Sequence, residues 1–264
     1  MTMFAGLDVG FKRTAVCVVD GYGRTVWRGI VDTHPQAIAA ALRCWREELE
    51  KVGLESGSMS PWLARGLFVL GFPVVCMDAR RAADAVKSRR VKSDKADAFA
   101  LAEMLRTGWY SAVHVKSEDS HRLKALLGAR DQLVRAKRAL GNQVRGLLRP
   151  FGIRLPSRQG TKKFAEAAHQ AVAHDVMLSA SITALMEALA AIEGQLARLD
   201  DRLKELARRS PVCWRLMSVP GVGPIVALAF MAAIEDVGRF DRMRGDCQDF
   251  CVRRLSVMRA QIAL

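Results

Sequence analysis

Apolar runs separated by glycine-rich turns open the chain, and this pattern is typical of consecutive β-strands. Residues 3–9, 14–19 and 25–31 predict three strands of an antiparallel meander, with a turn at residues 20–23 before the third strand. From residue 35 to residue 51 the apolar positions recur every three or four residues, which predicts a helix. The chain therefore begins as a meander that leads into a helix.

The next segment continues to alternate between short apolar runs and amphipathic stretches. Residues 52–54 and 73–77 predict two further strands. Between them, Ser60 and Pro61 predict the start of a helix that ends at Gly71. Strands that alternate with helices favour an α/β layer architecture for this half of the chain.

From Asp94 onward the pattern is almost entirely helical. Residues 121–149 carry an apolar stripe, and residues 182–206 repeat apolar positions at strict spacings of three and four, like the seam of a coiled coil. Two prolines and two glycines at residues 150–160 separate the two helices. We therefore predict a long antiparallel helical hairpin, and a homo-oligomer joined through the coiled-coil seam.

The net positive charge of the chain indicates which kind of molecule it binds. The 264 residues carry a net charge of +14, and residues 121–163 hold twelve Lys or Arg residues against one acid. Such an excess favours a polyanion, whereas helix faces that only confer solubility usually mix signs. We predict nucleic-acid contacts at four of these positions, with a solvated helix face as the alternative: Arg135, Lys137, Arg138 and Arg145.

An anionic membrane surface is the less favoured polyanion. The apolar stretches at residues 66–77 and 222–234 are shorter than the ~20 residues that a membrane-spanning helix needs. No cleavable leader precedes the first predicted strand, and the six scattered cysteines indicate reduced thiols. We expect a cytoplasmic protein with no membrane partner.

Four acidic residues stand at positions suited to chemistry. Asp8 and Glu55 each end an apolar run beside glycines, and Asp94 and Asp97 lie three residues apart on one face of a predicted helix start. Each alone could be a turn former or a helix cap. Together they suggest a site of oxygen ligands for Mg²⁺, of the kind in which two ions flank a phosphodiester.

Two further segments supply candidate phosphate contacts. Four basic residues surround the two aspartates in the sequence: Arg89, Arg90, Lys92 and Lys95. Gly221 and Gly223 lie between two helical segments. Their spacing is typical of a helix-hairpin-helix turn, in which backbone N–H groups approach a phosphate, and equally of a tight connection between packed helices.

Several of these motifs together resemble the DEDD transposases of the IS110 family of insertion sequences. The motifs are the strand with Asp8, the segment Glu55-Ser56-Gly57 with Trp62 and Leu63, residues 92–98, the segment Arg106-Thr107-Gly108-Trp109, and residues 219–240. The resemblance covers roughly residues 3–242. In combination the motifs are specific, although singly none would be.

The resemblance implies an α/β RNase H-like (RuvC-like) domain over residues 1–115, a basic helical hairpin and coiled coil over 116–209, and part of a second, helical transposase domain over 210–264. The four acidic roles fall to Asp8, Glu55, Asp94 and Asp97, which would bind Mg²⁺. It further implies recombination of the element's DNA, guided by a structured bridge RNA, by assembled subunits at the bacterial nucleoid.

Beyond Phe240 the sequence departs from the family pattern. Family members continue through a Ser-Gly segment that supplies a serine nucleophile, whereas residues 241–264 contain a single serine, Ser256, with neighbours that do not match. We therefore expect a reading-frame shift near residue 242 and a transposase that lacks its serine half and its recombination activity.

Two other functions stay open at this point. Asp8 and the turn at residues 20–23 also suit the phosphate hairpin of an actin-like sugar kinase, but the later Asp236-Val237-Gly238 segment has no predicted strands after it. The other alternative is a non-catalytic nucleic-acid-binding dimer derived from a transposase. Mg²⁺ dependence separates this dimer from an active recombinase.

Overall fold

The computed structural model of the protein describes residues 1–78, 94–156, 160–236 and 238, with the backbone alone at residues 94–96. The chain forms two compact units, Met1–Lys116 and Ser117–Leu264. Each unit has apolar cores of its own. The predicted frame shift and Ser256 lie outside the described residues.

A five-stranded mixed sheet forms the centre of the first unit. Its strands are β1 (Met3–Val9), β2 (Arg13–Asp20), β3 (Thr25–Asp32), β4 (Leu49–Glu55) and β5 (Val74–Met77). Across the sheet the order is β3-β2-β1-β4-β5; the first three strands pair antiparallel, and β4 pairs parallel with both β1 and β5. This order is that of an RNase H-like fold, which confirms the prediction.

Helices cover both faces of the sheet. α1 (Pro35–Leu42) and α2 (Ser60–Val69) pack against one face, and α3 (Asp94–Thr107) packs against the other. Alternate residues of a strand point to opposite faces, so Leu7 belongs to the first core and Phe4 to the second. The predicted α/β layer architecture is confirmed.

The helix predicted over residues 35–51 is shorter in the structure. α1 ends at Leu42, a short 3-10 helix follows at Arg43–Trp45, and β4 begins at Leu49. Leu49 fits the helical stripe by spacing, but it is buried as the parallel partner of Met3 in the sheet. Pairing with β1 therefore decides the conformation where the local pattern suits either element.

The second unit is helical, as the pattern from Asp94 onward predicts. Its helices are α4 (Glu118–Leu148), α5 (Thr161–Ala171), α6 (Val176–Arg209), α7 (Pro211–Met217) and α8 (Pro224–Ile234). α5 has no counterpart among the predicted elements; its inner face packs Phe164 and Ala168 into the core of the hairpin.

α4 and α6 form the predicted antiparallel hairpin. One core joins the end of α4 to the start of α6, and another joins the start of α4 to the end of α6. Two ion pairs follow the same direction: Arg130 pairs with Asp200 at 2.5 Å, and Lys137 pairs with Glu193 at 2.6 Å. The later residue on α4 pairs with the earlier residue on α6, as two antiparallel helices require.

Among the described helices, α6 is the one whose length and composition would suit a membrane span, with a mean hydropathy of 1.6 over its most apolar window. α6 is longer than the two apolar stretches that the sequence shows at residues 66–77 and 222–234. Its seam residues Ile182, Leu189 and Leu203 are buried against other helices of the same unit. The apolar seam therefore supplies the interior of the hairpin.

Replacing Leu203 by Ala should destabilise the second unit. Leu203 is fully buried between α6 and the helices around it, so truncation leaves a cavity that costs about 2–5 kcal/mol. Urea denaturation followed by far-UV circular dichroism measures this loss. The exposed Arg198→Ala on the same helix is the control, with an expected change within about 0.5 kcal/mol; equal losses in both variants would contradict the packing described.

Candidate active site

Two of the predicted acids meet at one edge of the sheet. β1 and β4 are parallel neighbours, and the pairing of Leu7 with Leu54 brings Asp8 next to Glu55. Both residues line a cleft of about 280 Å³. The loops that follow the two strands complete its lining, through residues 9–11 and 56–60.

Ser60 fixes the loop that follows Glu55. Its hydroxyl donates to the backbone carbonyl of Glu55 at 2.5 Å and accepts a hydrogen bond from the N–H of Gly57 at 2.9 Å. The helix start predicted at Ser60 and Pro61 is confirmed: Ser60 is the first residue of α2, and Met59 holds the cap position. The buried hydroxyl thus ties the strand end to the helix start and holds the backbone that carries Glu55.

A pair of glycines lets α3 lie directly on the sheet. Gly6 of β1 is the register partner of Gly53 of β4. A Cβ atom on Gly6 would lie 2.1 Å from the carbonyl oxygen of Ala98, and one on Gly53 would lie 2.6 Å from Cδ1 of Leu105. Side chains at these positions would push the helix away. The close approach brings the first turn of α3, which carries Asp97, toward the strand ends.

The carboxylates at this edge repel one another. Burial raises the pKa of Glu55, and the neighbouring charges of Asp97 and Asp78 raise it further. The Oδ1 atom of Asp97 is buried and has no hydrogen-bond partner within the described residues. A cation among these groups would relieve the repulsion and satisfy the buried oxygen.

Asp78 is a carboxylate that the sequence analysis missed. It directly follows β5, and its backbone N–H donates to the carbonyl of Ser111 at 2.9 Å. β5 is the parallel neighbour of β4, so the ends of these two strands fall at the same edge of the sheet. An acid after a predicted strand meets the criterion that selected Asp8 and Glu55, and this signal could have found Asp78.

The other residues predicted at this site are described in part. Asp94 begins α3 one turn before Asp97, and its side chain lies outside the described residues. The same holds for the side chain of Lys95. Three basic residues lie wholly outside the described ranges: Arg89, Arg90 and Lys92.

The chemistry of the donors fits Mg²⁺, which prefers carboxylate oxygens. Asp8, Glu55 and Asp97 supply such oxygens from two adjacent strand ends and one helix. Within the described ranges, His, Cys, Asp and Glu side chains form no ready-made cluster of three or more metal ligands. The buried oxygen of Asp97 and the raised pKa of Glu55 are properties that a bound cation or a bound proton would accommodate.

On the second unit, the structure divides the predicted nucleic-acid contacts of α4 into two kinds. Arg135 pairs with Asp131 at 2.6 Å, and Lys137 pairs with Glu193 of α6. Arg138 and Arg145 form no ion pair within the described residues. The pair between Arg135 and Asp131 has the spacing of four that the sequence shows, whereas the pair of Lys137 could not be predicted because Glu193 lies on another helix.

The predicted helix-hairpin-helix turn connects α7 and α8. Gly221 has a φ of 84°, a left-handed conformation that favours glycine, and Gly223 occupies the cap position of α8. Both the phosphate turn and the tight helix connection predict these features. A phosphate contact at Gly221 and Gly223 therefore stays a prediction.

Two family models match this chain. One, of the IS110-type DEDD transposases and described as "Transposase", matches residues 5–152; the other, described as "Transposase IS116/IS110/IS902 family", matches residues 213–245. The first match alone spans more than half of the 264 residues. The chain belongs to the IS110 family of insertion-sequence transposases.

Relatives of this chain are transposases of bacterial elements. It is 27% identical over 245 residues to the "Transposase for insertion sequence element IS1111A" of Coxiella burnetii, covering 90% of this chain and 65% of the relative. It is 27% identical over 187 residues to the "Transposase for insertion sequence element IS1328" of Yersinia enterocolitica, covering 70% of this chain and 55% of the relative. The chain thus spans between half and two thirds of these relatives' length.

Among solved structures, the chain is similar to "T. thermophilus RuvC in complex with Holliday junction substrate". The TM-score is 0.33 and the identity 18%, over 43% of this chain and 100% of that chain.

Replacing Gly6 by Ala should loosen α3 from the sheet. The added methyl would meet a backbone carbonyl, which cannot move as a side chain can, so we expect a loss of unfolding free energy of about 1–3 kcal/mol or more. Gly53→Ala should cost less, because its Cβ would meet the side chains of Leu105 and Met77. Chemical denaturation ranks the two variants against Gly57→Ala, where a Cβ has ordinary contact distances; a Gly6→Ala protein as stable as Gly57→Ala would refute the close approach.

Replacing Glu55 by Gln should stabilise the metal-free protein at neutral pH. The folded-state pKa of Glu55 lies above its ordinary value of 4.5, so the folded state binds the proton more tightly than the unfolded state. Its ionisation therefore lowers stability as the pH rises through the raised pKa, and has no effect well below 4.5.

Denaturation in EDTA between pH 4 and pH 7 measures this effect. Unfolding free energy should fall more steeply with rising pH in the wild type than in Glu55→Gln. Glu47→Gln, at an exposed position of the same unit, should follow the wild type. Parallel curves for wild type and Glu55→Gln would contradict the repulsion at the sheet edge.

Proposed function

We propose that the chain is a DNA-acting recombinase of an insertion sequence, with a Mg²⁺-dependent acidic site. Four residues would form this site: Asp8, Glu55, Asp94 and Asp97. The observation that carries the proposal is the edge of the sheet where Asp8 and Glu55 line one cleft while Asp97 raises the pKa of Glu55. Membership of the IS110 family supports the same assignment.

Each element would contribute differently to the acidic site. Asp8 and Glu55 would hold the ion from rigid strand ends, and Asp94 and Asp97 from the first turn of α3. When bound, Mg²⁺ supplies charge stabilisation at a phosphodiester and activation of the attacking oxygen. Asp78 would be a further carboxylate at this edge, whose charge adds to the effects of burial and of Asp97 on the pKa of Glu55.

Nucleic-acid binding would rest on the basic face of α4. Arg138 is exposed and forms no ion pair within the described residues, so its charge is free for a phosphate. Arg135 and Lys137 would also bind phosphate, through the N–H donors that do not contact their acidic partners Asp131 and Glu193. Lys95 and the basic segment before it would hold the phosphate backbone beside the acids.

A structured guide RNA and a homo-oligomer belong to the same proposal. The positive charge on α4 supports binding of a second polyanion beside DNA. Subunits would join through the coiled-coil seam of α6, where Ile192 and Leu199 are only half-buried within the unit. The exposed Val176 and Met177 at the start of the helix would extend the contact. Sequencing of RNA that copurifies with the protein and sedimentation velocity test the two parts separately.

A transposase acting on chromosomal DNA would work in the bacterial cytoplasm, at the nucleoid. The predicted loss of recombination activity concerns residues 241–264, outside the described ranges, and stays a prediction. Assay of recombination with this chain alone tests it. Recombination by the 264-residue chain would show that a separate serine segment is not needed.

Asp97→Asn should weaken Mg²⁺ binding while leaving nucleic-acid binding nearly intact. The variant removes a charge beside Glu55 but none of the basic residues, so we expect Mg²⁺ affinity to fall about tenfold or more by isothermal titration calorimetry. The salt dependence of DNA binding should not change. Glu47→Gln, an exposed acid of the same unit, should retain wild-type Mg²⁺ affinity.

Two outcomes would change the proposal. If the wild type binds no Mg²⁺ but binds DNA with a steep salt dependence, the second candidate, a non-catalytic nucleic-acid-binding dimer, becomes the function. If Asp97→Asn and wild type bind Mg²⁺ equally, the acidic site has been placed at the wrong residues.

A further inference from the structure

A second cleft, of about 570 Å³, lies at the end of α4 in the helical unit. Three of its six lining residues are arginines: Arg145, Arg149 and Arg154. The remaining lining is Gly152, Ile153 and Leu155, so among the described residues no acidic side chain lines this cleft. The cleft belongs to a different unit from the acidic edge.

The chain reversal after α4 builds this cleft. Arg145 and Arg149 are four residues apart, so they project from the same side of the chain as α4 passes into the 3-10 turn Arg149–Phe151. Gly152 then adopts a left-handed conformation with a φ of 73°, and its N–H donates to the carbonyl of Arg149 at 2.9 Å. This turn sends the chain back past the helix end and brings Arg154 to the same cleft.

Arg145 is held in place before any ligand arrives. Its guanidinium carbon lies 4.6 Å from the centre of the Phe164 ring, and one guanidinium nitrogen donates to the carbonyl of Gly141 at 3.1 Å. The Nε atom of Arg145 is buried and has no hydrogen-bond partner within the described residues. A partly buried cation is therefore fixed in position with a donor unsatisfied.

The absence of acidic partners separates this end of the hairpin from its middle. Along the middle, Arg130 pairs with Asp200 and Lys137 pairs with Glu193. Within the described residues, Arg145, Arg149 and Arg154 have no such partner. Because burying an unpaired charge is costly, a ligand anion would supply the countercharge that the partly buried Arg145 lacks.

The chemistry of the cleft favours a phosphate group. The planar guanidinium offers donors in a fork that matches two oxygens of a phosphate. A neighbouring cleft of about 280 Å³ shares Arg145 and is lined by Lys137, Arg138, Asn142 and Thr161 among others. A nucleic-acid backbone that leaves one cleft therefore meets further donors in the next.

We propose that Arg145, Arg149 and Arg154 form a discrete phosphate-binding site that clamps the backbone of a nucleic acid at the end of the helical hairpin. The inference rests on the proposed function only in taking nucleic acid as the ligand. Arg149 and Arg154 are exposed and would bind the phosphate from the solvent side of the cleft, whereas the partly buried Arg145 would bind it from the inner side. The ligand chemistry is a phosphodiester, which either DNA or RNA can supply.

The double variant Arg149→Ala/Arg154→Ala tests the site without disturbing the core, because both side chains are exposed. Its matched control is Arg198→Ala/Arg208→Ala, which removes two exposed arginines from α6. Binding of a labelled duplex DNA and a labelled single-stranded RNA to the full chain is measured by fluorescence anisotropy over a series of salt concentrations.

We expect the cleft variant to bind nucleic acid about tenfold more weakly at low salt. The slope of log affinity against log salt concentration should become shallower by about one, which corresponds to the loss of one phosphate contact. The control should lose little affinity and keep its slope. Arg145→Lys, which retains the charge but not the fork, should lose affinity as well. A loss confined to RNA or to DNA identifies the source of the phosphodiester.

Two results would overturn the inference, and they are distinguishable. If wild type binds nucleic acid and the cleft variant behaves like its control, the phosphate site is refuted while the proposed function stands. If wild type binds neither DNA nor RNA, the proposed function fails and the phosphate site falls with it.

Discussion

The close approach of α3 to the sheet is the constraint on which the first unit depends. With no side chain at Gly6 or Gly53, the backbone of α3 lies against β1 and β4, so a helix that comes later in the chain carries its first turn to the edge where those strands end. Carboxylates distant in sequence are thereby held within electrostatic reach of Glu55. The repulsion among them is compensated by the fold, because the apolar core beneath α3 holds the helix in place.

Much of this fold could be predicted from the sequence, because strand meanders and amphipathic helices leave a local pattern. The predicted meander agrees with β1 to β3 within a residue or two, and α4 and α6 contain the predicted stripes. The start of β4 could not be predicted, because Leu49 satisfies the spacing of a helix and takes its conformation from Met3, which is far away in sequence. The local periodicity of apolar residues carries no information about such pairing between distant strands.

The candidate site shows the same limit. Asp8 and Glu55 could be predicted because each closes a strand, whereas the importance of Asp78 depends on β5 lying parallel beside β4. The basic segment was recognisable by its charge, and the pairing of Arg135 with Asp131, four residues earlier on α4, is also local; the pairing of Lys137 depends on which residues of α6 face α4. Glu193 neutralises Lys137 across the hairpin, and only the register of the two helices makes that visible.

The ion pairs between α4 and α6 also hold the hairpin as a rod of defined length. α4 has 31 residues, which at about 1.5 Å per residue makes a rod of about 46 Å. One end carries the arginine cleft, and the other packs against α8 and the turn that contains Gly223. Two candidate phosphate contacts of this unit, the arginine cleft and the turn with Gly221 and Gly223, therefore lie at opposite ends of one helix, separated by about the length of α4.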